Sequence, residues 1–332
     1  MSVKRSAVLR GHRAGVTSLA AGWGSRSSML LSGSDDQTCR LWDTRTSKAV
    51  RCIRGFSDEI TAVELAGDHT IVAASGSSIY IYDQRAMNVV SQASEAASLL
   101  SNKDQGEVQA LSARGDFIAY VDENGRLGVF DITDNPPSAT PVDGHDALAG
   151  CVCIHPELPV IASGGFDRQV ILWDMASETK VRSFIAESRD TCDDPAKSFN
   201  PPFAYALDFA PEDSLQLVSG HADGSLVCLS DGTVFRWSEC HGYSISAVRF
   251  VSAKPEILAT ASLDCTLALW DAESILYPDV EAQSNTVTVV GDKPRQLALV
   301  ELSTKPDTLA SSETTPVIYT DEGCDIIAYT IS

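Results

Sequence analysis

Short runs of alternating apolar and polar residues recur along the whole chain, each broken by a cluster of Ser, Asp, Gly or Asn. In Gln37-Thr38-Cys39-Arg40-Leu41-Trp42 the side chains alternate between two faces, the period of a β-strand. The apolar run Leu30-Leu31 precedes it, and the Ser- and Asp-rich residues between them suit a tight hairpin. The same pair of strands returns further on. LLSGSDDQTCRLWD ends at Asp43, VIASGGFDRQVILWD at Asp174 and ILATASLDCTLALWD at Asp271. IVAASGSSIYIYD ends at Asp83 and FIAYVDENGRLGVFD at Asp131, while copies around Leu229 and Tyr329 lack the Trp-Asp ending.

The closing positions fall at 42, 82, 130, 173, 229, 270 and 329. A four-stranded unit of that length cannot cover both its faces alone, so units must stack around an axis. Seven positions predict an all-β, seven-bladed propeller in one domain over 1–332, with blades near 11–54, 55–94, 107–143, 144–186, 203–238, 240–291 and 294–332. Only three residues follow Tyr329, so residues 3–9 are expected to supply the outer strand of the last blade and close the ring. Outer strands are expected at 49–53 for blade one, 88–91 for blade two and 286–290 for blade six. Blade seven is expected to use 296–302, 316–319 and 324–329, with 303–315 as a loop. The prolines at 136, 137 and 141 predict a short outer strand in blade three. Residues 95–106, expected to carry a helical turn, and 186–202 read as surface loops suited to recognising a client protein.

A period near forty, with Gly-His upstream and Trp-Asp at the end, resembles the WD-repeat propeller blade. Three blades also contain the parts of a Ser-His-Asp triad: His12, Ser32 and Asp36; His145, Ser163 and Asp167; His241, Thr260 and Asp264. Threefold repetition argues against catalysis, and each set comes with an indole needing a buried acceptor, Trp42, Trp173 or Trp270. A chain Asp–His–Ser/Thr–Trp satisfies every member, so the sets are expected to be structural tetrads and the protein not an enzyme. No phosphate loop, zinc spacing or cofactor motif accompanies them, so neither a metal nor a cofactor is expected.

Charge changes the picture of partners. The formal net charge is −20, and no run of Lys or Arg exceeds Lys4-Arg5, which speaks against direct nucleic-acid binding. An acidic surface favours basic protein partners or serves solubility alone. No apolar run approaches a membrane span, the N-terminus lacks a secretory core, and the nine cysteines form no Cys-x-x-Cys pair. A reducing compartment, cytoplasm or nucleus, is the expectation.

One motif lies just beyond the hairpins. Trp42-Asp43-Thr44-Arg45 and Tyr82-Asp83-Gln84-Arg85 both read aromatic-Asp-x-Arg on consecutive blades, whereas Trp173-Asp174 and Trp270-Asp271 are followed by Met175-Ala176 and Ala272-Glu273. Arginine offers a planar fork for carboxylates or carbonyls. The pair resembles the motif by which WD-repeat substrate receptors of cullin-4 ubiquitin ligases dock on their adaptor, the damaged-DNA-binding protein. That resemblance implies an adaptor contact at Trp42, Asp43, Arg45, Tyr82, Asp83 and Arg85. The alternatives are inter-blade salt bridges made by the two arginines, and a ligase-independent scaffold that binds peptides at the channel mouth.

Overall fold

A computed structural model describes residues 1–101, 106–185, 201–211, 214–230, 232–279, 287–290 and 293–332. Its strands form seven sheets arranged as the blades of a propeller. In blade one, Val16–Ala21, Met29–Ser34, Thr38–Asp43 and Lys48–Arg54 pair antiparallel in chain order from the channel outwards. The outer strand of blade three is only Val142–Asp143, as expected where proline removes ladder donors. The last blade combines Leu309–Ser311, Val317–Glu322 and Asp325–Ile331 with Val3–Arg10 from the other end of the chain. Val3 pairs with Ile331 and Arg10 with Asp325, so the ring is closed by the N-terminal strand.

Alternation along the strands has a geometric consequence. Each blade presents one apolar face to each neighbour, and the buried side chains separate into seven clusters, one at each blade-to-blade junction. Leu31, Leu41 and Ile53 of blade one meet Ile60 and Ile71 of blade two. At the closure, Leu9, Ala310 and Tyr319 of blade seven meet Leu30 and Trp42 of blade one. Burial of this kind, about 25 cal/mol per Å² of apolar surface, is what holds the blades together.

The rim departs from the sequence expectations in two places, for one reason. Val90–Gln92 does not form the outer strand of blade two; it runs back and pairs in parallel with the outer strand of blade one. Blade two takes Ser98–Ser101 as its outer strand instead, within the stretch read as a loop with a helical turn; the turn is Ala93–Glu95. Likewise Val287–Val290 pairs in parallel with Thr233–Trp237 of blade five, and Gln296–Glu301 becomes the outer strand of blade six rather than the first strand of blade seven. The first strand of blade seven is Leu309–Ser311, inside the stretch read as a loop. Apolar alternation marks a segment as a strand but does not say whose edge it joins. Most of the expected 186–202 loop lies outside the described residues.

Candidate functional site

Blades one, four and six each contain a hydrogen-bonded chain running from the hairpin to the incoming loop. In blade four the indole Nε1–H of Trp173 donates to Ser163 Oγ at 2.9 Å. Ser163 Oγ lies 2.8 Å from His145 Nε2, and His145 Nδ1 lies 2.9 Å from Asp167 Oδ1. The indole can only donate, so the serine oxygen accepts from it and has its own hydrogen available for Nε2, an arrangement in which Nδ1–H faces the carboxylate. Blade one repeats this with Trp42 to Ser32 at 2.8 Å, Ser32 to His12 at 2.7 Å and His12 to Asp36 at 3.1 Å. Blade six uses Trp270 to Thr260 at 2.8 Å, Thr260 to His241 at 2.7 Å, and His241 to Asp264 at 3.3 Å; there Nδ1 also lies 3.0 Å from Thr266 Oγ1.

Electrostatics agree with a structural role. Burial lowers the pKa of His12 despite the neighbouring Asp36, keeping it neutral. Burial alone would raise the pKa of Asp36, but hydrogen bonds from Thr38, the Arg13 amide and His12 outweigh it and hold the carboxyl low. Ser32, Ser163 and Thr260 are each fully buried. No substrate reaches these hydroxyls, and each is already committed to two partners. The glycine of Gly-His follows from the same packing: a Cβ on Gly11 would sit 2.9 Å from Trp42 Cη2, and one on Gly144 would sit 2.8 Å from Trp173 Cζ2.

Two blades without a Trp-Asp ending fix their turns differently, and the sequence reading missed both. In blade three Arg126 Nε donates to Asp122 Oδ2 at 3.1 Å within a buried pair. In blade five buried Arg236 donates to Asp223, while His221 Nδ1–H donates to the Pro202 carbonyl and its Nε2 meets Ser219 Oγ. The Asp-x-x-x-Arg spacing of blade three was a readable signal. Arg236 was not, since it comes from the next strand and faces the turn only through the pairing of Val227 with Arg236.

The Asp-x-Arg motifs end the third strands of blades one and two, at equivalent places. Asp43 pairs with Met29 and Asp83 with Thr70, at the starts of the second strands. Each arginine turns back onto its own carboxylate. Arg45 Nη2 donates to Asp43 Oδ2 at 2.8 Å and its Nε to Oδ1 at 3.1 Å; for Arg85 and Asp83 the distances are 2.8 and 3.0 Å. In both, the arginine amide also donates to Oδ1 at 2.9 Å. The Arg85 guanidinium and amide hold Asp83 down to about 2. The inter-blade bridge considered from sequence is therefore not what these arginines make. Their side chains remain 71% and 68% exposed, which leaves donors free toward solvent. Trp42 and Tyr82, by contrast, are 1% exposed. They cannot touch a partner and instead hold the strand ends from which the motifs project.

The inner strands surround a cavity of about 170 Å³ lined by residues including Glu64, Tyr205, Arg249 and Asp307. Arg249 Nη1 lies 3.4 Å from Asp208 Oδ1. Burial pushes Glu64 up to about 7.

Fold and tetrads together define a WD-repeat β-propeller, a class of scaffold for protein interactions. The family model described as WD domain, G-beta repeat matches residues 3–43, 137–174 and 232–271, the segments that end in the three Trp-Asp pairs. Among curated proteins, the chain is similar to a WD repeat-containing protein 53 homolog of Dictyostelium discoideum, 21% identical over 281 residues, covering 78% of this chain and 76% of that protein. It is similar to a Protein LST8 homolog of Drosophila melanogaster at 26% over 160 residues, 46% of this chain and 49% of that protein. WD repeat-containing protein 1 of Mus musculus is 30% identical over 129 residues, 39% of this chain and 21% of that protein. The chain thus spans about three quarters of the first relative, half of the second and a fifth of the third.

Proposed function

We propose that this propeller is a substrate receptor that docks on the adaptor of a cullin-4 ubiquitin ligase through Asp43, Arg45, Asp83 and Arg85, in cytoplasm or nucleus. One observation carries the reading: two exposed guanidinium groups stand at equivalent positions on neighbouring blades, each fixed by its own carboxylate. A side chain already held in one orientation loses less freedom on binding, and arginine is enriched among the residues that dominate interfaces. The test is binding of the purified adaptor to the wild type and to Arg45→Glu/Arg85→Glu. Loss of well over ~2 kcal/mol of binding is expected. The melting temperature should hardly move, because exposed ion pairs add little stability. If the wild type fails to bind, or the double variant binds equally well, the receptor reading falls. The ligase-independent scaffold then takes its place, and the charged cavity around Glu64 and Arg249 is the observation in its favour.

A further inference from the structure

The charge of this protein is distributed unevenly. Residues 1–54 carry ten Lys and Arg against three Asp and Glu, whereas residues 55–332 carry 15 against 42. Much of the positive excess falls on the third and outer strands of blade one and the turn between them: Arg40, Arg45, Lys48, Arg51 and Arg54. Arg40, Lys48, Arg51 and Arg54 have no ion-pair partner among the described residues, and the Nε atoms of Arg40 and Arg51 have no hydrogen-bond acceptor. Among the described residues only Asp43, through its pair with Arg45, sets a carboxylate against this group of cations.

The wall continues onto blade two. Lys48 pairs in register with Asp43, which puts it beside the Arg45 turn. The parallel strand Val90–Gln92 lies along Cys52–Arg54, and the Cys52 amide donates to the Val89 carbonyl. Val89 and Val90 are 68% and 46% exposed and follow Arg85 within five residues. An exposed apolar pair thus borders the outer strand of blade one beside Arg51 and Cys52, four residues along that strand from Lys48, and an apolar centre with a charged margin is the arrangement of a protein contact.

We infer that the outer wall of blade one, with the returning strand of blade two, docks an acidic protein surface, and that Lys48 and Arg51 steer its approach while Val89 and Val90 form the apolar centre. This rests on the receptor reading and states the chemistry required of the adaptor's face. A nucleic acid would offer negative charge too, but the remaining ring repels an extended polyanion, while a compact acidic patch meets only the positive blade.

The experiment measures association and dissociation rates of the purified adaptor at low and physiological ionic strength. Lys48→Glu alone should slow association several-fold, and Lys48→Glu/Arg51→Glu about tenfold, with a flattened salt dependence and melting curves like the wild type. Lys305→Glu, the same charge change at an exposed site in the connection between blades six and seven, should leave both rates unaltered. Val89→Asp should act mainly on dissociation. If the adaptor binds the wild type but Lys48→Glu associates as fast as Lys305→Glu, the docking wall is refuted while the receptor reading stands. Binding of duplex DNA as tight as that of the adaptor would refute the protein-surface chemistry. If the wild type does not bind the adaptor at all, the receptor reading falls and this inference with it.

Discussion

Replacing Trp173 with Phe tests the hydrogen-bonded chain of blade four quantitatively. The indole is 1% exposed, and its Nε1–H donates to Ser163 at 2.9 Å. Phe keeps the ring at the centre of the cluster but removes about 40 Å³, which at the usual cavity penalty costs about 1 kcal/mol. The lost hydrogen bond adds about 1 kcal/mol. Ser163 still donates to His145, so no donor is stranded, and the total is about 2 kcal/mol, a fall of about 4 °C in melting temperature. Ser163→Ala should cost more, about 3 kcal/mol, because it orphans the indole N–H in a site without water access and removes the donor facing His145 Nε2. Urea unfolding measures both, with the midpoint shifting at constant slope. A Trp173→Phe protein within about 0.5 kcal/mol of wild type, or a Ser163→Ala protein more stable than Trp173→Phe, would show that the serine is not the bridge.

Gly144→Ala should destabilise by about 1–3 kcal/mol through collision with the indole, and by less in a Trp173→Phe background, since the colliding Cζ2 and Cη2 atoms are then gone; a double-mutant cycle reads this coupling. Deleting residues 1–10 removes Leu9 from the closure cluster and exposes the Asp325–Ile331 edge, so the melting temperature should drop by several degrees; an unchanged melt would contradict the closure. Asp321 is buried, and that burial pushes its carboxyl up to about 7 although the Asp307 and Thr308 amides donate to it. A carboxyl whose pKa is raised by folding favours the protonated protein, so stability should decline between about pH 4 and pH 7. Asp321→Asn should flatten that part of a stability–pH curve, and an unaltered slope would count against it. The tetrad carboxyls act in the opposite sense: Asp36, Asp167 and Asp264 are lowered, so their contribution is present above the ordinary carboxylate range and lost as the pH falls through their depressed values.

The hairpins were legible because their apolar period, turn composition and Trp-Asp ending all agree, and the three tetrads followed from the chemistry of a buried indole. The rim was less so. Val90–Gln92 and Val287–Val290 carry no mark that they leave their own blade, since a parallel partner in the preceding blade is specified only by the folded ring. The arginines were legible as a motif, but their turn back onto Asp43 and Asp83 depends on local backbone geometry that spacing does not contain. The blade-one charge excess stood in the sequence as an uneven count, hidden because the cations alternate with apolar residues instead of forming a run.

The two returning strands divide the ring into regions of unequal mechanical resistance. Between blades one and two, and between blades five and six, separation must break main-chain hydrogen bonds of Val90–Gln92 and Val287–Val290 as well as apolar contacts. Blades seven and one are joined by chain continuity through Val3–Arg10. Blades three and four have no such strand among the described residues, and the outer strand of blade three spans two residues. Opening events smaller than global unfolding should therefore begin there, and amide exchange in Phe117–Asp122 and Arg126–Asp131 should run faster than in the corresponding strands of blades one and five.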